Sequence, residues 1–232
     1  MKTGPARTDE EHEYYSLNQR VYTLFAPFYD LVTFPVRNLR REVAALAKVE
    51  ARSRVLDVGT GTGAQAGAFA EKAGRVVGVD VSRPMLVIAR RNNRLPNLTF
   101  QQADATELPF GDASFDVSCV SFVLHEMPAS IRERTIAEMA RVTKPGGTVF
   151  VVDYAPPRGL LGNVISQVVR LYERSYYLDF IRSDLHGLLQ RMGLERRDER
   201  FTLHGGVRIV IAARCGANVA VKETHGTGHP AV

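Results

Sequence analysis

This chain of 232 residues predicts an α/β fold, a doubly wound sheet with helices on both faces. Two observations carry that expectation. From residue 54 onward, short apolar runs of strand length alternate with segments of helical composition, the pattern of parallel strands joined by crossover helices. The first strand also ends in a run of alternating glycines that leads directly into a helix, Gly59-Thr-Gly-Thr-Gly63. In an open sheet of this kind the ligand crevice lies at the carboxyl ends of the strands, where the strand order reverses.

The elements follow in order. Residues 1 to about 13 are polar and read as loose chain. From Tyr14 to Val49 the pattern is helical but broken by Pro27 and Pro35, so short helices form an arm over 1–49. Arg54–Val58 is the first strand, Ala64–Ala73 the first helix of the alternation and Arg75–Val79 the second strand. Pro84–Asn92 is a helix with Ser82 as its N-cap. Leu98–Gln101 and Phe115–Ser121 are further strands. Ser130-Ile-Arg-Glu133 has the spacing of a capping box and opens a helix that Lys144-Pro-Gly-Gly147 stops. Thr148–Asp153 is the fifth strand. Helices are expected over Leu160 to about Tyr172 and Ser183–Met192, and two strands near Glu195–Thr202 and Val207–Ala213 end the pattern. This organises the chain as a helical arm (1–49), an α/β domain (50–215) with a covering insertion at about 156–182, and a polar flexible tail (216–232).

Composition narrows the function. A hydrophobic fraction of 45% with 24% charged residues is globular and excludes disordered and fibrous classes. No apolar run approaches the roughly 18 residues of a membrane span, and the first residues carry no secretory apolar region, so the reading is cytoplasmic. Cys119 and Cys215 are far apart without His at ligand spacing, so neither a disulfide framework nor a zinc site is expected. A net charge of +5 is scattered over small arginine clusters without a recognition motif, so no nucleic-acid partner is expected.

Chemistry concentrates at the glycine loop. Glycine permits positive φ and a close approach of ligand to backbone. Asp80 ends the second strand 19 residues beyond Gly61, where a carboxylate can accept hydrogen bonds from ribose hydroxyls. With Ala64 the loop also satisfies the dinucleotide form G-x-G-x-x-A, which keeps a nicotinamide enzyme in view. Asp57, two residues ahead of the first glycine, discriminates: its carboxylate suits a cation and opposes a pyrophosphate. S-adenosylmethionine (SAM) carries an ammonium and a sulfonium and no phosphate. The alternative is that Asp57 only braces the loop amides.

Four segments in order resemble the class I SAM-dependent methyltransferases over roughly residues 50–155: Asp57-Val-Gly-Thr-Gly-Thr-Gly63; Asp80-Val-Ser-Arg-Pro-Met-Leu-Val-Ile-Ala89; Asp104-Ala-Thr-Glu-Leu-Pro-Phe110 with Asp112-Ala-Ser-Phe-Asp116; and Arg141-Val-Thr-Lys-Pro-Gly-Gly147. The resemblance implies SAM as cofactor and a seven-stranded, mostly parallel sheet with the last strand antiparallel. It also implies roles. Gly59 and Gly61, with Thr60 and Gly63 of the same loop, would line the methionine part; Asp80 would hold the ribose; Val81 or Met85 would lie on the adenine. Asp104 would accept the adenine amino group, with Ala105 offering a backbone amide, and Ser121 and Phe122 would pass beneath the sulfonium. Asp112, Asp116 and Lys144-Pro-Gly-Gly147 read as turn chemistry.

The whole chain resembles most the group that contains the ubiquinone and menaquinone C-methyltransferases. Ala26-Pro-Phe-Tyr-Asp30 is similar to that group's A-x-x-Y-D segment, which implies that Tyr29 lies over the cofactor. Two departures stand out. Leu31-Val-Thr-Phe-Pro-Val-Arg37 replaces the group's His-Arg-x-x-Trp stretch, and the fifth strand ends Val152-Asp153-Tyr154 rather than Leu-Glu-Phe. The segment after the fourth strand, Ser121-Phe-Val-Leu-His-Glu126, lacks the Asn/Asp-Pro-Pro-Tyr type of motif expected for protein or RNA targets.

The expected acceptor is small and apolar or lipid-like, because Tyr14, Tyr15, Tyr22, Phe25 and Phe28, and the stripe Leu160/Leu161–Val164/Ile165–Val168/Val169, read as a greasy cover with peripheral membrane contact left open. A phospholipid headgroup or a small polar metabolite is the alternative acceptor. Methyl transfer leaves a neutral thioether, so a base is needed only where the acceptor loses a proton. His125 and Tyr154, following the fourth and fifth strands, are the candidates for that role.

Overall fold

The computed structural model describes residues 8–16, 37–157, 167 and 176–216. Tyr29, Tyr22, Phe25, Phe28, the Leu160–Val169 stripe and the 217–232 tail lie outside them. Seven strands are observed: β1 (Arg54–Val58), β2 (Arg75–Asp80), β3 (Leu98–Gln102), β4 (Phe115–Ser121), β5 (Thr143–Tyr154), β6 (Leu194–Thr202) and β7 (Val207–Arg214). Their order across the sheet is β3-β2-β1-β4-β5-β7-β6. All pairings from β3 to β5 are parallel, and β7 runs antiparallel to both β5 and β6. The seven-stranded sheet with one reversed strand is therefore as expected. Its order reverses between β1 and β4, which puts the crevice over the ends of those strands.

The strands form because their residues are buried on both faces. In β1 every residue after Arg54 is buried, and β2 and β4 are nearly as dry. One face carries Leu56, Val58, Val79, Val120, Val149, Val151 and Val210. It is covered by α5 (Ala129–Val142), α6 (Tyr177–Arg182) and α7 (Leu185–Arg191), which supply Ile136, Phe180 and Leu189 among others. The opposite face presents Val55, Val76, Phe150, Val152 and Ile209 to α2 (Arg37–Leu46) and α3 (Ala64–Ala70), with Leu39, Val43 and Phe69 packed between. The edge strand β6 exposes Glu195, Arg196, Arg197, Asp198 and Arg200, a charged rim that discourages pairing with another chain.

Local expectations hold where a side chain caps its own turn. Ser82 accepts from the Met85 amide at the start of α4 (Arg83–Asn92). Other expectations are corrected by contacts distant in sequence. Residues 9–16 form a helix, α1, rather than loose chain to residue 13. Glu11 is buried in that helix, taking the Ser130 hydroxyl at 2.7 Å and Arg134 Nη2 at 2.8 Å, and Tyr14 packs into the core. For the same reason Ser130 is not a cap: α5 opens after Pro128 without a side-chain cap, and the Ser130 hydroxyl serves Glu11. Lys144–Gly147 is not a break before the fifth strand. β5 already begins at Thr143, and its pairing with β4 jumps from Phe115↔Thr143 to Val117↔Thr148, so these residues bulge out of the ladder. Asp116 is not a turn residue but lies in β4, where it holds that bulge through Lys144 Nζ at 2.6 Å and accepts from the Arg54 amide at 2.8 Å.

Candidate functional site

The glycine loop is built by backbone rather than side chains. Gly59, Gly61 and Gly63 all have positive φ, between 53° and 79°. At Gly59 a Cβ would lie 2.6 Å from Val123 Cγ2, and at Gly63 it would meet Phe100 Cζ at 2.6 Å, so both positions need glycine on two grounds. The loop is tied to β2: the Thr60 amide donates to Val79 O at 2.9 Å, and the Gly61 amide donates to Asp80 Oδ2 at 2.8 Å. The Asp80 Oδ1 accepts from the Ser82 amide at 2.8 Å, so its carboxylate is held at the mouth of the loop with lone pairs to spare. Desolvation raises the Asp80 pKa.

Asp57 is 1% exposed, and Thr60 donates its hydroxyl to it at 2.6 Å. Burial pushes its carboxyl up to about 7, against the opposing Thr60 bond, with the nearby Asp80 charge adding slightly. Two desolvated acids at one end of a cleft are poor company for a pyrophosphate. They suit a ligand that brings a cation and ribose hydroxyls, and the donor set of the loop fits SAM on that ground.

A cleft enclosing about 680 Å³, its open mouth included, runs along the strand ends. Of the residues singled out from sequence it is lined by Gly59, Gly61, Asp80, Val81 and Met85 on one side and Asp104, Ala105 and Phe122 on another. Asp57, Thr60 and Ser121 line an adjoining recess that shares Gly59, Gly61 and Phe122 with the cleft. Gly63 lies in neither; it opens α3 as the residue ahead of its first turn. Asp104 accepts from the Thr106 amide and hydroxyl at 2.9 and 2.8 Å, which fixes the turn that presents Ala105. That loop is clamped from behind by Arg141, which donates to the carbonyls of Leu108 and Phe110 and pairs with Glu138 and Asp112. Phe122 has φ +55°, an uncommon conformation for a bulky residue, and it turns the chain across the cleft directly after β4.

The remaining lining of the cleft is largely apolar: Tyr14, Tyr15, Val123, Met127 and Ile131, with Glu126 among them. Tyr14 and Tyr15, part of the predicted aromatic side of the arm, thus face the cleft. His125 and Tyr154 stand one layer behind. The His125 ring is 2% exposed, its Nδ1 lies 2.7 Å from Asp153 Oδ1, and its Nε2 is 3.9 Å from Glu126 Oε1. The Tyr154 ring packs edge-on against His125 at 4.7 Å, Tyr177 at 5.4 Å and Phe122 at 5.7 Å. Asp153 and Glu126 were missed in the sequence reading. A carboxylate ending the strand next to the one that precedes His125 was the available signal for Asp153, while nothing local marks Glu126.

Known proteins agree with this geometry. A methyltransferase-domain family model matches residues 55–147. The demethylmenaquinone methyltransferase of Paenarthrobacter aurescens is 37% identical over 145 residues, 59% of this chain and 56% of that protein, so the chain spans little more than half of that relative's length. The ubiquinone/menaquinone biosynthesis C-methyltransferase UbiE of Bdellovibrio bacteriovorus is 32% identical over 194 residues, 74% of this chain and 82% of the relative. Among solved structures, a chain from the complex of the Haloferax volcanii Trm112 methyltransferase activator with a methyltransferase superposes with a TM-score of 0.69 at 21% identity, covering 85% of this chain and 97% of that one. That likeness is one of fold. Strand order, glycine loop, paired acids and the extent of the UbiE match converge: the chain belongs to the class I SAM-dependent methyltransferases, in the group of the quinone-biosynthesis C-methyltransferases.

Proposed function

We propose that this protein transfers the methyl group of SAM to a small, apolar, quinone-like acceptor that gives up a proton as it reacts. The observation that carries the reading is the mixed lining of one cleft, which combines the carboxylates of Asp80 and Asp104 with Tyr14, Tyr15, Met127 and Ile131. The names of the relatives, demethylmenaquinone and ubiquinone/menaquinone methyltransferases, support the same acceptor class.

Bound SAM would supply an electrophilic methyl on a sulfonium that departs as a neutral thioether. Gly59 and Gly61 would admit its methionine part, with Asp57 as the counter-charge and Thr60 fixing that carboxyl. Asp80 would take the ribose hydroxyls; Val81 and Met85 would bracket the adenine, with Asp104 and Ala105 reading its edge. Ser121 and Phe122 would border the methyl, and Tyr29 would close over it from the arm.

No leaving group needs a proton, so alignment and exclusion of water carry most of the acceleration; such alignment corresponds to effective molarities of about 10⁵–10⁸ M. A phenolic or carbon-acid acceptor still has to be deprotonated. His125 suits that step, because a carboxylate at Asp153 would accept a hydrogen bond from Nδ1–H and leave the Nε2 lone pair on the side of Glu126. Glu126 lines the cleft and would relay the proton outward. Tyr154 holds the His125 ring in place.

The test is methyl-labelled SAM incubated separately with a demethylated quinol, phosphatidylethanolamine vesicles and a pool of polar metabolites. Label recovered in the quinone fraction supports the reading. Label in the phospholipid or only in the aqueous phase overturns it. Among the described residues no helix is long and apolar enough to cross a membrane.

A further inference from the structure

Arg208 lies in β7 directly opposite Asp153 of β5, on the face of the sheet that carries Val151 and Val210. It is 5% exposed, and its Nε and Nη2 are buried without a hydrogen-bond partner. Its guanidinium lies 5.2 Å from the centroid of the Phe180 ring, and Arg132 lies 5.1 Å from the same ring. The two arginines differ in what they hold. Arg132 donates from Nε and Nη2 to the carbonyls of Leu124 and Met127 and to Asp179 Oδ2, so it is held by hydrogen bonds and an ion pair. Arg208 has only the field of its neighbours. Asp153 and Glu199 favour its charge, while burial and Arg132 oppose it. Glu199 is itself engaged by Arg196 at 3.1 Å and His186 at 3.3 Å.

An arginine with orphaned buried donors is a poor choice for stability, since an apolar side chain of its volume would fit such a site without that cost. Its charge is what it contributes. Asp153 makes no direct salt bridge to Arg208, whose Nε and Nη2 have no hydrogen-bond partner. Its Oδ1 accepts from His125 Nδ1 and from the Tyr154 amide at 2.8 Å, and its Oδ2 faces the His125 amide at 3.3 Å. The guanidinium therefore acts through the low-dielectric space between paired strands, where charges are felt strongly.

We propose that Arg208 is the buried counter-charge of Asp153 and a positioning residue for His125, keeping the imidazole neutral with its Nδ1–H donating to the Asp153 carboxylate. Without Arg208, the imidazole is the group among the described residues that can supply a positive charge to this carboxylate at hydrogen-bond distance. Glu126 beside Nε2 pulls the same way, and Arg132 is neutralised by Asp179. Among the described residues, Tyr154 adds a neutral ring beside His125 and packs in turn on Tyr177. The inference rests on the reading of His125 as proton acceptor only for its catalytic meaning; the electrostatic statement stands apart from it.

The experiment is nitrogen-15 NMR of the imidazoles in the full chain, with His125 assigned by His125→Gln. In the wild type and in Arg208→Lys, His125 is expected neutral, in the Nδ1-protonated tautomer, at pH 7.5. In Arg208→Met its titration is expected to move upward by at least one pH unit, and the acidic limb of the kcat/KM profile to move with it. An unchanged titration in Arg208→Met overturns the proposal. Where that variant does not fold, Arg208→Gln takes its place, and a charged His125 imidazolium in the wild type at pH 7.5 overturns the proposal without any variant. Should His125→Gln retain full turnover while Arg208→Met still shifts the imidazole, the base assignment fails and the counter-charge role remains.

Discussion

Replacing Asp57 by Asn separates what this buried acid costs the fold from what it does for the ligand. In the folded chain its carboxyl titrates at about 7, against an ordinary value of 3.8, chiefly because burial disfavours the anion. The fold therefore keeps the proton over a range in which the unfolded chain releases it. This contribution is complete below about pH 4 and is lost as pH rises through about 7. Between pH 5 and pH 8 about two pH units of that range are crossed, which corresponds to roughly 2.7 kcal/mol as an upper value before local relaxation. Asparagine is neutral throughout and can still accept from Thr60. The Asp57→Asn chain is thus expected to match the wild type below about pH 4, within the loss of one hydrogen bond, and to gain on it by about 1–3 kcal/mol between pH 5 and pH 8. In a domain of this size that is a gain of several degrees in Tm. The same variant lacks the counter-charge for a ligand ammonium, so SAM affinity should fall at least tenfold at pH 8, where the wild-type carboxylate is ionised. Urea denaturation at pH 5, 6, 7 and 8 reads the first effect and titration calorimetry the second. Stabilities that run parallel from pH 5 to pH 8 would refute the account of a raised acid. Full SAM affinity in Asp57→Asn would reduce Asp57 to a brace for the loop.

Other substitutions probe the remaining parts. His125→Gln should lower kcat by about 10²–10³, the usual share of a general base, while SAM binding measured by calorimetry stays within twofold; loss of binding instead would make the ring a packing residue. Gly59→Ala forces a Cβ to within 2.6 Å of Val123 at φ +64°, so it should destabilise the fold by about 1–3 kcal/mol and abolish SAM binding, both readable in one thermal-shift titration. Arg141→Met removes the clamp on the Leu108 and Phe110 carbonyls and is expected to cost about 2 kcal/mol, with a severalfold weaker SAM affinity as the Asp104–Ala105 turn loosens; unchanged affinity would uncouple that clamp from the cleft.

The parts of the site that were legible in the sequence are the parts made by neighbours in sequence. Gly59, Gly61 and Gly63 follow a buried strand, Ser82 caps the helix after Asp80, and Asp80 stands one strand–helix unit beyond the loop; each is a local device whose geometry follows from residue type and spacing. Strand–helix alternation likewise foretold the sheet, because a parallel pair requires a crossover and the crossover requires a helix. What remained hidden depends on register and on pairs far apart in the chain. Ser130 has the spacing of a cap, yet its hydroxyl goes to Glu11, 119 residues away. Lys144–Gly147 has turn composition, yet β5 absorbs it as a bulge where that longer strand pairs with β4.

By itself, then, the sequence determined the fold class, the loop and its acidic residues, since hydrophobic period and glycine spacing are properties of a few consecutive residues. Only the tertiary structure decided the charge state of Asp57 and the partnership of His125, Asp153 and Arg208. Desolvation and electrostatic coupling are set by what surrounds a group in space: Asp57 is dry because α2 and α3 cover its strand, and Asp153 meets Arg208 because β7 turns back along β5. No spacing along the chain encodes those distances.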